Sequence, residues 1–244
     1  MIKVINEEDL RLMAFTLQLA LGLKSEKLPS EGELQEEIIT FSRISKEQRL
    51  KDLISNLSED SIKKYLAIAL IAAQADFKTL SSMASGTREE RIIAACASFL
   101  KKDASTLSLF RTIIQGSDEN LFSAVLLLLI SAVQHFSNDE LIKELEKWLE
   151  WPDVQVRISA VKILSNLGSR SAPSSEKILN ILLRAFDRDP NRRVRESIAT
   201  QLGILAAENP SLKNRSYSSL ISMFRKERSA KVRKAILDSL LTLT

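Results

Sequence analysis

The sequence predicts an all-α protein built from stacked helical hairpins, and three observations carry the prediction. Only six Gly and five Pro are spread over 244 residues, with 5% aromatics. So few turn formers favour long helices joined by short corners over a sandwich or barrel of many strands. Next, "VRISAVKIL" (Val156–Leu164), "VRESIATQL" (Val194–Leu202) and "VRKAILDSL" (Val232–Leu240) begin 38 residues apart and then 38 again. Finally, the apolar positions of the three copies coincide at +4, +5, +8 and +11 from the valine, one stripe of an α-helix. They are Ala160/Ile198/Ile236, Val161/Ala199/Leu237, Leu164/Leu202/Leu240 and Leu167/Leu205/Leu243.

From the N-terminus, Asn6 can cap "EEDLRLMAFTLQLALGL", with Ile5 and Leu10 as a hydrophobic staple. A helix over about Glu31–Arg43 completes a first, atypical pair. "KEQRLKDLISNL" then pairs with "SEDSIKKYLAIALIAA", where Ile62-Lys63 stands in place of Val-Arg. "DFKTLSSMA" and "TREERIIAACASFL" form a short pair. "STLSLFRTIIQG" and "DENLFSAVLLLLISAV" form another, without a basic residue at the repeated position. The stretch Leu121–Val133 is the longest apolar run, 13 residues. It is shorter than the ~20 needed to span a bilayer, so it reads as a deeply buried helix and no membrane is expected.

Each Val-Arg helix follows another amphipathic segment: "DELIKELEKWLEW", "SSEKILNILLRAF" and "SLKNRSYSSLISMF". Asp153, Asn191 and Ser229 precede the helices in phase and suit N-caps, which accept hydrogen bonds from free N–H groups. Breaks with Pro fall at residues 171–175 ("SAPSS") and 209–211 ("NPS"). A hairpin of this kind cannot bury its apolar face alone and must stack on its neighbours.

On these residues the chain resembles the HEAT-repeat family. "WPDVQVRISAVKILSNLG" and "DPNRRVRESIATQLGILA" carry the family's acidic-or-Pro corner followed by Val-Arg, while "RSAKVRKAILDSLLTL" keeps Val-Arg and lacks the acidic corner. The resemblance implies a right-handed α-α superhelix of about six hairpins. Residues 1–138 would form irregular pairs and 139–244 three regular repeats, continuous as one solenoid. It also implies a structural role for Arg157, Arg195 and Arg233, bonding acidic groups or carbonyls of a neighbouring repeat. Arginine suits that place because its planar fork satisfies several acceptors while half-buried.

Chemistry-bearing constellations are scarce. His135 is the single histidine and reads as a helix-end donor, and Cys96 reads as a small buried core residue. With no partner for either, no metal site of ordinary ligands can be drawn. Neither a phosphate loop nor a nucleophile elbow occurs, so no enzyme and no cofactor are expected. Nothing points to an oxidising compartment, and the start "MIKVINEEDL" lacks the order of a secretion signal; the cytoplasm is the expected location. A remote enzymatic alternative is a HEAT-like alkylpurine DNA glycosylase, to which Trp148, Trp151, Asp153 and Arg157 would contribute.

Charge is divided. Residues 151–244 hold 17 Lys/Arg against 8 Asp/Glu, and residues 1–150 hold 18 against 23. The cations gather at successive corners, as Arg184, Arg188, Arg192, Arg193 and then Arg225, Lys226, Arg228, Lys231, Lys234. Those at the start of second helices oppose the helix dipole, which suggests a use outside the fold. The expected function is a non-catalytic scaffold that binds a protein partner over an extended repeat surface. Arg188, Arg192, Arg193, Arg228, Lys231, Lys234 and Lys162 are candidate contacts, with Gln155 and Thr200 on the same helices. The alternative is binding to the nucleic-acid backbone along the basic edge, weak in base preference. Leu240, Leu241 and Leu243 lack cover, which raises end-to-end self-association through the last repeat.

Overall fold

The periodicities above appear as helices in a computed structural model, which describes residues 7–22, 29–42, 50, 53–54, 57, 62–132, 138–170 and 172–243. Thirteen α-helices and two 3-10 turns, with no strand, occur among the described residues. The chain is an all-α helical-repeat protein, and it divides into two units, Met1–Phe136 and Ser137–Thr244. The Asn6 cap with its Ile5 staple, His135 and most of "KEQRLKDLISNL" lie outside the described residues.

The first unit contains α1 (Glu7–Leu21), α2 (Glu31–Ser42), α3 (Ile62–Ala72), α4 (Phe77–Ala84), α5 (Arg88–Lys101), α6 (Leu107–Ile114) and α7 (Glu119–Ala132). Helices α3, α5 and α7 pack in series, with α4 against α5 and α6 against α5 and α7. Asp76 starts α4 by accepting from the Thr79 N–H at 2.7 Å. Thr87 and Glu90 start α5 with a reciprocal capping box.

The expected pairing of α1 with α2 is not the packing that forms. Helix α1 lies chiefly against α7, with further contact to α3 and α5, whereas α2 packs on α3. The reason is composition. Helix α7 is apolar nearly all round and needs cover on more sides than a hairpin partner offers. Met13, Ala14, Leu17 and Ala20 of α1 supply it and are themselves buried. Two polar contacts hold α1 antiparallel to α5: Arg88 Nη2 donates to the Ala20 carbonyl at 2.5 Å, and Lys102 Nζ reaches Asp9 Oδ2 at 2.8 Å.

The second unit is three successive hairpins: α8 (Asn138–Leu149) with α9 (Val154–Arg170), α10 (Ala172–Arg188) with α11 (Arg192–Glu208), and α12 (Lys213–Lys226) with α13 (Ala230–Leu241). Pro173 sits in the first turn of α10, where its missing N–H is no loss. The second helices α9, α11 and α13 form the main seam, and the first helices touch one another little. Val156, Val194 and Val232 are fully buried on this seam, as are Ala160, Ile198 and Ile236. Close approach depends on Gly203, where an added Cβ would stand 2.7 Å from the Ser239 Cβ. Ser239 Oγ in turn donates to the Ala199 carbonyl at 3.0 Å, and Ser165 Oγ to the Gln201 carbonyl at 3.1 Å, so these buried seam hydroxyls are satisfied by the neighbouring second helix. The stripe changes at the last helix: Leu237 is 46% exposed and Leu241 71%, but Leu243 is buried and so does not belong to the uncovered leucines.

Candidate interaction surface of the C-terminal repeats

Each second helix begins at a corner, and the corner fixes an arginine four residues past the cap. Asp153 Oδ1 accepts from the N–H groups of Gln155 (2.7 Å) and Val156 (3.1 Å), and Asn191 Oδ1 accepts from Arg193 N–H at 2.9 Å. Ser229 makes no such side-chain cap. Glu227 Oε1 takes over, accepting from the N–H groups of Arg228 (2.9 Å) and Ser229 (2.8 Å).

Arg157 and Arg195 then make the same set of bonds. Arg157 Nε donates to Asp189 Oδ2 at 2.7 Å, Nη2 to Oδ1 at 3.4 Å, and Nη1 to the carbonyls of Trp151 (2.7 Å) and Pro152 (2.9 Å). Arg195 Nε donates to Glu227 Oε2 at 2.8 Å, Nη2 to Oε1 at 3.2 Å, and Nη1 to the carbonyls of Asp189 and Pro190, both at 3.0 Å. Each acid lies 32 residues beyond its arginine, just past the end of the next repeat's first helix. The Arg195 hydrogen bond holds the Glu227 carboxyl below the usual carboxylate range, and the same bond raises the Arg195 guanidinium. Among the described residues Arg233 has no such acid; it lies over the Phe224 ring, 4.4 Å from its centroid, and is exposed.

One arginine of this kind escapes a reading based on Val-Arg. Arg91 of α5 stands four residues past the Thr87 cap, the same place, although Glu90 precedes it. Its Nη2 donates to the carbonyls of Ile113 and Gln115 and to Ser117 Oγ, at the C-terminal end of α6. The position relative to the cap, not the dipeptide, is the signal that finds it. The acids Asp189 and Glu227 were equally findable, from the constant 32-residue offset.

The candidate contact residues divide. Arg188, Arg192, Arg193, Arg228, Lys231 and Lys234 are exposed, and among the described residues none has an ion-pair partner. They occupy two successive corners, between α10 and α11 and between α12 and α13. Lys162 stands apart: it is half-buried in the middle of α9, and burial lowers its pKa. Gln155 is half-buried as well, and Thr200 is exposed. Arg184 leaves the cluster by pairing with Glu146 at 3.3 Å, one rung of a ladder across the first helices. The other rungs are Lys177–Asp139 at 3.3 Å and Arg215–Glu176 at 2.6 Å.

The residues of the glycosylase alternative have other employment. Asp153 caps α9 and Arg157 is bonded at three nitrogens, as described; Trp148 is fully buried, its Nε1 donating to Glu144 Oε1 at 3.3 Å. Cys96 is fully buried, which pushes its thiol up to about 12 and keeps it protonated. Among the described residues no three His, Cys, Asp or Glu side chains gather as metal ligands, and no helix is long and apolar enough to cross a membrane. Two clefts open on this unit. One, of about 370 Å³, lies between α8 and α10 beside Trp151, Arg184 and Arg188. The other, of about 460 Å³, lies between α11 and α13 beside Ile204, Lys231 and Lys234.

Among proteins of curated function none matches this chain. The family model described as HEAT repeats matches residues 111–203 and again 142–241, together more than half of the 244. That match spans the three hairpins, their buried valines and the arginine–acid bonds between them: the chain belongs to the HEAT-repeat family.

Proposed function

We propose that this protein is a non-catalytic scaffold that binds an acidic protein surface along the basic corners of its C-terminal repeats. HEAT repeats commonly serve as interaction scaffolds, which supports the general class. The observation that carries the reading is a contrast in pairing. Arg157, Arg184, Arg195 and Arg215 all hold acids of a neighbouring repeat. Arg188, Arg192, Arg193 and Arg228 lie within a few residues of these yet stay exposed and unpaired among the described residues. Arg192 and Arg193, in the first turn of α11, repel one another and oppose the dipole, and Arg188 at the end of α10 and Arg228 ahead of the Ser229 cap add to the same-sign charge of the corners, which supports a use outside the fold. The groups that an enzyme could have used are engaged in caps and clamps. A single buried thiol fits a reducing compartment, and cytoplasmic residence is part of this reading.

The test compares the full chain with a variant carrying Arg188→Glu, Arg192→Glu, Arg193→Glu and Arg228→Glu in cross-linking capture, with a labelled DNA duplex titrated at ~50 and ~200 mM salt. The expected result is a protein partner retained by the native chain and lost by the variant, with duplex binding weak throughout. Tight duplex binding that falls steeply with salt, and is abolished by the same changes, replaces the partner reading with nucleic-acid backbone binding.

A further inference from the structure

The three corners of the second unit hold one place in the repeat, and their charge changes in step along the stack. At 38-residue spacing, residues 149–155, 187–193 and 225–231 are equivalent. The exposed charge of the first corner is Glu150, its other carboxylate being the Asp153 cap. The second corner exposes Arg188, Arg192 and Arg193 against Asp187, and the third exposes Arg225, Lys226, Arg228 and Lys231. Asp189 and Glu227, the remaining acids of these corners, are already bound to Arg157 and Arg195. The row therefore runs from anionic to strongly cationic over two repeat steps. Packed helices stand about 8–10 Å apart, so one step is close to three residues of extended chain at about 3.3 Å each.

Between the first and second corners lies the cleft of about 370 Å³. Its apolar surface comes from Leu149 and Trp151 on one side and Ile181 and Ala185 on the other, with Pro152 and Pro190 at the corner end. Both corners are held from within: Arg157 Nη1 donates to the Trp151 and Pro152 carbonyls, and Arg195 Nη1 to those of Asp189 and Pro190. Four of the six charged residues that line the cleft answer one another, as Arg157–Asp189 and Arg184–Glu146. Glu150 and Arg188 are left over, level in the repeat, and neither has a partner among the described residues. Arg188 stands on the α10 wall, toward the cationic corners, and Glu150 on the α8 side, away from them.

We propose that this edge receives an extended acidic segment of a partner protein. One bulky apolar side chain sits in the cleft beside Trp151, and carboxylates about three and six residues further along lie over the second and third corners. The proposal rests on the acidic-partner reading above and adds the form of the partner: a linear segment crossing the helices, in place of a folded acidic face. A hollow of this size takes a side chain and not a helix about 10 Å across, so the segment enters by one residue. Because the corners are pinned before binding, little ordering is required of this side of the contact. A nucleic-acid strand carries the same charge at every step and meets Glu150 at the first corner. Unequal corners favour a chain whose charge is unequal too.

The probes are three labelled peptides of about 12 residues in a Gly/Ser background. The first sets pairs of Asp three and six residues after a Leu, the second places the Leu between the two pairs, and the third replaces the Leu by Ser. On the full chain, fluorescence anisotropy should show the first binding about tenfold more tightly than the others, the worth of seating one Leu side chain. It should also move the indole N–H resonance of Trp151. The pairs Arg192→Glu with Arg193→Glu, and Arg228→Glu with Lys231→Glu, should each weaken the first and third peptides. Ala185→Trp, which fills the cleft, should bring the first peptide down to the third and leave the third unchanged, a result that also shows this variant to be folded. Equal affinities, binding of none, an unmoved Trp151, or a single-stranded DNA that moves Trp151 more than the first peptide does overturns the proposal. Equal affinities that the corner changes still abolish leave the acidic-partner reading standing. Ordered binding of the peptides, beside a captured protein that the corner variant retains, sinks that reading and keeps the segment site.

Discussion

The two units solve one problem with different chemistry. In the second unit, Arg157 and Arg195 reach forward to an acid just beyond the next repeat's first helix, Asp189 or Glu227. In the first, Arg91 reaches the same place on α6 and finds main-chain carbonyls and Ser117 Oγ. What recurs is therefore the geometry of a guanidinium at the end of the following helix, where unpaired carbonyls and the negative end of the dipole need a cation. The acid is an addition.

This comparison orders a series of substitutions. The largest effect is expected for Arg157→Met, which strands the nearly buried Asp189; breaking one side of such a pair costs about 3–5 kcal/mol, read as a lower denaturation midpoint. Arg91→Met should cost less, about 1–3 kcal/mol, because it orphans neutral carbonyls and not a charge. Equal losses would mean that the acid adds nothing. Arg233→Ala should cost only about 0.5–1 kcal/mol, the range of an exposed cation–π contact.

Acid sharpens the same contrast. Glu227 has its folded pKa below the unfolded value of about 4.3. Its contribution is thus present above that value and lost as pH falls through the lower folded one. Protection from hydrogen exchange in α11 and α12, corrected for the intrinsic rate, should fall below about pH 4, and Arg195→Met should remove that dependence. Arg91 bonds carbonyls and a hydroxyl and meets the Asp118 carboxylate only through its field, so its clamp should share this dependence only weakly. Smallest of all, Lys177→Ala, Arg184→Ala and Arg215→Ala should each change stability by about 0–1 kcal/mol, since these pairs are exposed.

Where the chain repeats itself, sequence alone carried the fold far. The coincidence of Val156, Val194 and Val232 marked the seam, because a buried column in a stack must recur at the repeat length. Legibility ended where burial is settled by distant segments. Nothing local to α1 shows that Met13 and Leu17 cover α7, since an amphipathic stripe names no partner. The corner positions of Arg192, Arg193, Lys231 and Lys234 follow from their places along the chain, whereas the half-burial of Lys162 does not, because a stripe does not say how closely its neighbours pack. The 460 Å³ cleft was out of reach for a related reason. Ile204, Lys234 and Glu208 are unremarkable along the chain and become a set only when two helices lie side by side.

The second unit is joined closely along α9, α11 and α13, whereas its first helices touch one another little and are bridged, among the described residues, by the exposed rungs Asp139–Lys177, Glu146–Arg184 and Glu176–Arg215, the last with a further bond from Arg215 to Asn180. A stack seamed on one side and bridged by solvated charges on the other is expected to bend most easily by opening the bridged side. Salt screens the bridges and leaves the apolar seam intact, so small-angle scattering at low and high ionic strength should differ more for the native chain than for one lacking Lys177, Arg184 and Arg215.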